Sequence, residues 1–427
     1  MADTKTRKLP GRVESEIRSD ASTNQHANQH GKGRIWEFIA IASIPMVLVL
    51  GNSMLVPILP ELQERLEITR FQSSLIITLF SLTAGLVIPV CGYLSDRFSR
   101  KAIIIPSLVV YGSAGILAGL GAMWNSYLLL IIARIIQGIG AAGTAPIAMA
   151  YIGDSYRGGT ESKALGLTEA SNGVGKVLSP IIGSLLALWL WYAPFFAFPL
   201  FCLFSLLAVM FILKEPKKEQ DPPRLKVYLK QIQHILKEKG RWLLTCFFAG
   251  SLALFILFGI LFYLSNILEA DPYDIKGVTK GFVLAIPLLG MVVTSYTTGV
   301  FIKKNGTLMR WLMNIGLCLM AISLVLCIFF YENLYILITF LSVSGVGTGL
   351  LLPCLNTIIT GAVHKEQRGM ITSLYSSLRF IGVAFGPPIF EFLMNVSHEM
   401  VFIVVSFLAL ITLLLVLFLV KPVGQIG

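Results

Sequence analysis

Charge is what this sequence has least of. Asp, Glu, Lys and Arg make up 13% of its 427 residues, against about 25% in water-soluble chains. So few charges cannot coat a soluble protein of this length, which excludes a row of water-soluble domains. Hydrophobic residues reach 55%, so lipid must be the solvent for much of the surface. The sequence also has no GxxxxGK[ST], no HExxH, no GxSxG and no paired CxxC. ATP-driven pumping, zinc-protease and serine-hydrolase chemistry are therefore unsupported, and no enzyme activity, cofactor or metal is expected.

Cysteine and histidine are sparse as well. Cys91, Cys202, Cys246, Cys318, Cys327 and Cys354 all lie in or beside apolar runs without metal spacing, and read as small buried hydrophobes. His26, His30, His234, His364 and His398 fall in tails, loops or at a helix edge and form no proton relay through a membrane. The net charge of +11 is no sign of nucleic acid, because the basic residues sit in short loops and tails between apolar runs. Residues 1–34 are polar and lack the apolar core of a signal peptide. They are expected to be a disordered cytoplasmic tail, and their two NQH copies to be low-complexity sequence.

A bilayer core of about 30 Å needs roughly 20 apolar helical residues. Twelve segments qualify, at 36–60, 72–95, 102–124, 126–150, 163–190, 193–213, 242–268, 279–302, 310–331, 333–358, 370–394 and 399–420. The runs are too long for strands and do not alternate. If the N-terminus is inside, the cytoplasmic tails, loops and adjoining segment ends carry 27 of the Lys and Arg residues and the outer ones carry 4, Arg65, Arg70, Lys276 and Lys280. That bias predicts a multi-pass cell-membrane protein with both termini in the cytoplasm.

The expected organisation is a six-helix bundle at 35–213, a linker at 214–241, a second bundle at 242–421 and a short tail at 422–427. In the linker, Leu225, Tyr228, Ile232, Ile235 and Leu236 recur at helical spacing among lysines. This predicts a basic amphipathic helix on the inner membrane face. The two bundles repeat at an offset of 207 residues. Gly92 meets Gly299, Gly138 and Gly140 meet Gly345 and Gly347, Pro146 meets Pro353, Gly175 meets Gly382, and Pro180 meets Pro387. Parallel six-helix repeats place a site between them near the midplane, reached alternately from either side by rocking.

Ionisable groups inside the membrane mark function by default. Arg134, Lys176 and Arg379 fall in the middle of their helices and only Glu169 opposes them. Glu37 and Glu391 are near helix ends, where they are expected to reach the interface. Glu169 and Lys176 share a helix face about 10 Å apart, with Asn172 between them. That polar stripe should face a cavity or the other half. Glu169 fits a proton carrier, or else a neutraliser of a cation. The cations fit an anionic substrate, and a desolvated Lys176 could itself titrate. An arginine at mid-membrane costs about 2.5–3.5 kcal/mol on insertion scales. Arg134 therefore lines a substrate path or is held by hydrogen bonds as a structural residue.

Three stretches carry a family resemblance. GYLSDRFSRKAII, Gly92 to Ile104, resembles the loop signature of the major facilitator superfamily, Gly-x-Leu-x-Asp-Arg-x-Gly-Arg-Lys, with Ser99 in place of the second glycine. The resemblance implies a cytoplasmic gate of Gly92, Asp96, Arg97, Arg100 and Lys101, with an acid at the inner end of helix 4 that Asp154 supplies. A degenerate copy, GVFIKKNGTLMR, stands in the second half without the acid. ARIIQGIGAAG, Ala133 to Gly143, is similar to that family's helix-4 pattern. GVGKVLSPIIGS, Gly173 to Ser184, resembles the helix-5 motif of its drug:proton antiporters, Gly-x-x-x-Gly-Pro-x-x-Gly-Gly. Here Gly175, Pro180 and Gly183 are kept, while Ser179 and Ser184 replace glycines. Several of those antiporters carry an acid in helix 1, where this chain offers Asn52.

The resemblance implies an all-α fold of twelve helices in two pseudo-symmetric bundles, acting as a monomer. It implies proton-coupled export of small amphipathic organic molecules. The alternatives are a dedicated exporter of one anionic metabolite such as a siderophore, a flippase for a lipid-linked substrate, and, from another class, a non-transporting receptor or scaffold. Protons and a small-molecule substrate are the expected partners. Asn52, Arg134, Asn172, Lys176 and Arg379 would line the path, and Glu169 and Lys176 would carry coupling.

Overall fold

Prolines and small residues decide where the helices of this chain bend and how closely they meet. The computed structural model describes residues 35–156, 158–214, 225–302, 305–361 and 365–421. The two expected tails, the charged start of the linker and the Lys303–Lys304 pair lie outside the described residues.

Twelve helices run through the described chain. In the first half they are α1 (Ile35–Leu66), α2 (Arg70–Arg97), α3 (Arg100–Met123), α4 (Tyr127–Ser155), α5 (Gly158–Ala187) and α6 (Ala193–Ile212). In the second half they are α7 (Leu225–Glu269), α8 (Gly277–Phe301), α9 (Gly306–Phe330), α10 (Leu334–Gly361), α11 (Lys365–Met394) and α12 (His398–Leu419). Eleven are long and apolar enough to cross a bilayer by composition alone. The twelfth, α5, is 30 residues long, about 45 Å of helix, and is made more polar by Glu169, Asn172 and Lys176.

α1 breaks at Met54–Leu55 and continues through a 3-10 turn, Val56–Ile58, before its last two turns. Pro60 has no N–H to give Val56; the Val56 carbonyl accepts instead from the Leu59 N–H that caps the turn, with a lone pair left for a second donor. α4 breaks at Gly143–Thr144 and restarts with Pro146 in its first turn, where a missing N–H costs nothing. Side-chain caps start several helices: Thr69, Ser99, Ser126, Asn305 and Ser397 each accept from a backbone N–H three residues on.

The linker helix differs from expectation. No separate surface helix ends near residue 241. The segment is the first part of α7, a single helix of 45 residues. Only Gly240 interrupts the helix-forming sequence there, at a cost of about 1 kcal/mol, and no proline falls between 225 and 269 to stop it.

The repeat read from glycine and proline positions is a repeat of packing. In the first half α2 packs on α4, α3 on α4 and α6, and α5 on α1; in the second, α8 packs on α10, α9 on α10 and α12, and α11 on α7. Individual contacts follow. A Cβ on Gly138 would come within 2.4 Å of the Phe80 carbonyl, and one on Gly345 within 2.4 Å of the Pro287 carbonyl. Both members of the second pair lie 207 residues beyond the first. The halves meet along two symmetry-related seams, α2 with α11 and α8 with α5.

Candidate transport site

Two polar stripes face away from lipid at matching positions in the repeat. On α5, Val174, Leu178 and Leu185 are exposed, while Asn172 and Lys176 are half-buried on the opposite side. Glu169 falls on that same face by helical register; its side chain lies outside the described residues. On α11, Phe385 and Phe392 are exposed, and Thr372, Ser376 and Arg379 share the opposite face. Arg379 is the repeat mate of Asn172. Its guanidinium lies 5.4 Å from the Tyr375 ring centre, and its Nε is buried without a hydrogen-bond partner. A desolvated donor with no acceptor is costly, so this group is suited to a visiting anion.

Arg134 has different surroundings. It is 0% exposed. Its Nε donates to the Ile76 carbonyl at 2.8 Å, one terminal nitrogen to Gln137 Oε1 at 2.5 Å and the other to Asn52 Oδ1 at 3.0 Å. The Phe80 ring centre is 4.3 Å away. All of these groups belong to α1, α2 and α4 of the first half. Of the two readings open in the sequence, substrate path or structural residue, this geometry has the pattern of the second.

The helix-5 motif is a packing surface. Ser179 returns a hydrogen bond to the Lys176 carbonyl at 3.1 Å. A Cβ on Gly183 would lie 2.2 Å from the Met54 carbonyl, at the break in α1, whereas one on Gly175 would make ordinary contact with Met46 and Val49. The Pro180 carbonyl faces Gly281 of α8, 2.7 Å from where its Cβ would be. Small residues thus let α5 lie against both α1 and α8.

At one end of the bundle the loop residues converge. Arg100 bonds Asp96 at 2.6 Å, Asp154 at 2.8 Å and the Ser95 hydroxyl at 2.6 Å. Arg100 is largely enclosed while Asp154 is half-exposed, so solvent screens part of that attraction. Lys101 donates to the carbonyls of Met210 and Leu213 at the end of α6, a favourable site for a cation. Arg97 is exposed beside Tyr93 and Phe98. Gly92 meets the second half: its Cβ would sit 2.6 Å from Ser373 Oγ on α11.

The other end holds contacts that the sequence did not announce. Lys280, expected at the outer end of the segment 279–302, is 1% exposed. Its Nζ bonds Glu269 at 2.7 Å and the Pro57 carbonyl of α1 at 2.6 Å. Ser265 donates to the Val56 carbonyl at 2.8 Å, as a second donor beside the Leu59 N–H. Gln63 reaches Asn266 at 3.4 Å. All three contacts join the halves. Glu391 is a correction: it does not reach the interface but is 4% exposed, with Oε2 buried and unpartnered. A position near a helix end does not mean exposure when another helix covers it. Glu37, by contrast, is half-buried and accepts from the Tyr156 hydroxyl at 2.9 Å.

Known proteins share this arrangement. The chain matches the Major Facilitator Superfamily over residues 41–313 and 270–426. It is 45% identical over 384 residues to the bacillibactin exporter of Bacillus subtilis (strain 168), covering 89% of this chain and 95% of that protein. It is 29% identical over 348 residues to the multidrug efflux protein YfmO of the same organism, covering 82% and 84%. The crystal structure of the human organic anion transporter MFSD10 (TETRAN) superposes with a TM-score of 0.71 at 18% identity, covering 89% of this chain and 98% of that one; at that identity the likeness speaks for the fold. With twelve helices in two repeated bundles and matches across nearly its whole described length, the chain belongs to the major facilitator superfamily, as a multi-pass membrane transporter among exporters of small molecules.

Proposed function

We propose that this chain is a proton-driven exporter of one anionic, amphipathic metabolite of the siderophore class, working by alternating access. The observation that carries this reading is the 45% identity to the bacillibactin exporter. It brings forward the dedicated exporter, which sequence alone ranked behind general export of amphipathic molecules. The interior chemistry supports it. Arg379 presents a buried, unpartnered Nε, Lys176 lies on the inward face of α5, and helix 1 carries Asn52 where cation exporters place an acid.

In this reading Lys176, Asn172 and Arg379 draw the anion between the halves, and Glu169 carries the proton. Gly92, Asp96, Arg97, Arg100, Lys101 and Asp154 control the cytoplasmic side. The Lys280 end faces outward, because the basic loops gather at the other end. Both termini are cytoplasmic, the protein works as a monomer in the cell membrane, and α7 joins its two bundles. Arg134 and Asn52 hold the first half together beside the path.

Inverted membrane vesicles test this. An imposed pH gradient should drive uptake of bacillibactin and leave a lipophilic cation such as tetraphenylphosphonium behind. Equal uptake of both would favour a polyspecific exporter, the reading that the multidrug relative supports. Movement of neither would favour a receptor or scaffold. Glu169→Gln should remove the gradient's effect in folded protein; full gradient-driven uptake in that variant would move the proton site elsewhere.

A further inference from the structure

Glu391 has no part in the function proposed so far. It lies on α11 near the Lys280 end and is 4% exposed. Asn395, just past the end of that helix, donates to Oε1 at a long 3.3 Å, and Oε2 is buried with no hydrogen-bond partner. Asn395 and the charge of Arg70 act on this carboxylate, but Oε2 has no hydrogen-bond partner, and enclosing a charged group that is not fully hydrogen-bonded is costly.

Its neighbour across the seam belongs to the other half. Thr78 of α2 donates to the Ala384 carbonyl of α11 at 2.7 Å, which fixes the register of the two helices. Glu391 lies seven residues beyond Ala384, and Arg70 lies eight residues before Thr78. At 1.5 Å per residue both stand about 10–12 Å from that contact, so the first turn of α2 covers Glu391. Arg70 itself is exposed. Other titratable or charged groups at this end, on helices packed against α11, are Glu269 and Tyr263 on α7 and His398 and Glu399 on α12. Glu269 is committed to Lys280, Glu399 accepts from Tyr331, and His398 packs against Tyr263 and Tyr331.

We infer that Glu391 is a proton-binding site that controls the outer gate. With the outer ends of α2 and α11 apart, its carboxyl meets external water and exchanges a proton with it. The halves close over the protonated, neutral form, because closing over the charged form would enclose a carboxylate oxygen that no donor meets, with the exposed Arg70 as its opposite charge. External acid then promotes closure after substrate has left, and alkaline conditions hold the outer end open. This rests on the orientation proposed above.

The test needs no substrate. Ser73, fully buried on α2, accepts from Gln63 beside the Gln63–Asn266 contact between the halves. In Ser73→Cys it reports opening of that end to a membrane-impermeant maleimide on intact cells, with the chain lacking the reporter as blank. Labelling, expressed relative to that of the denatured Ser73→Cys chain at the same pH so that the thiolate's own pH dependence cancels, should rise with external pH, by up to about tenfold per unit for one linked proton. Adding Glu391→Gln, a neutral isostere, should flatten the profile at the low, closed level. Glu391→Asp should keep a profile, and His398→Asn should leave it unchanged. A flat profile in Ser73→Cys alone, or an unchanged one after Glu391→Gln, would overturn the site. Loss of the profile with His398→Asn would move it to the imidazole. Labelling in inverted vesicles but not in cells would reverse the orientation and leave the Glu391 comparison readable there. Absence of labelling from both sides would mean this end never opens, and would overturn the gate itself.

Discussion

Two arginines show how little residue type alone says about role. Arg134 and Arg379 both stand in mid-helix, and charge and hydropathy cannot tell them apart. Their surroundings can. Arg134 spends its donors on Ile76, Gln137 and Asn52, a divergent set that a lysine ammonium cannot reach at once. Arg134→Lys should therefore leave buried acceptors unmet, at about 1–3 kcal/mol each, and lower the melting temperature of the detergent-solubilised protein. Arg379→Gln removes a group with an unmet donor, so the melting temperature should hold. Its KM for the anion exported under the proposed function should rise about tenfold or more, as expected on losing a charge-assisted bond of about 1.5–3 kcal/mol. An unchanged melting temperature for Arg134→Lys would sink its anchoring role; an unchanged KM for Arg379→Gln would remove it from the substrate path. The sequence made Asp96, Arg100 and Asp154 legible, because a motif tied them together before the geometry did. It left Lys280 and Glu391 hidden, because partners distant in sequence decide whether a charge near a helix end is covered. The unusual residue pair that could have raised suspicion was Lys280 with Glu269, flanking one short connection.

At the scale of the element, periodicity and length found the helices, and the breaks are where they fell short. Hydropathy does not show that the Val56 carbonyl takes Ser265 as a second donor, nor that residues 225–241 are the first part of α7. Small-residue spacing along α5 was legible, but the partner each glycine meets was not. Gly183 abuts backbone at the α1 break, whereas among the described residues Gly299 has nothing within 4 Å of its would-be Cβ. Gly183→Val should force α5 from α1, cost about 1–3 kcal/mol as overpacking does, and lower both melting temperature and transport. Gly299→Ala should be silent in both, although Gly299 is the repeat mate of Gly92. Tolerance of Gly183→Val would show that α5 does not need its approach to α1.

At the scale of the whole molecule, the repeat was legible from glycine and proline positions alone, and its consequence is mechanical. The seams α2–α11 and α8–α5 are related by the repeat, so each half offers one helix to each seam. Rocking must open a seam at one end while it closes at the other, which makes each end a hinge point that can be tied. The would-be Cβ of Gly92 is 3.1 Å from the Ser373 Cβ, and that of Gly281 is 2.8 Å from Ser184 Oγ. A small movement brings either pair into the range of about 3.5–4.5 Å that a disulfide spans. The pair Gly92→Cys with Ser373→Cys ties the gate end, and Gly281→Cys with Ser184→Cys ties the opposite end. Under oxidation each tie alone should abolish gradient-driven uptake, and a reductant should restore it, since the cycle needs both ends to part in turn. The two ties should differ in what they leave accessible. The gate-end tie should permit labelling of Ser73→Cys from outside, and the opposite-end tie should prevent it. Uptake that persists in fully cross-linked protein would show that the halves do not rock about these seams, and the polar faces of α5 and α11 would then need another route to the two faces of the membrane.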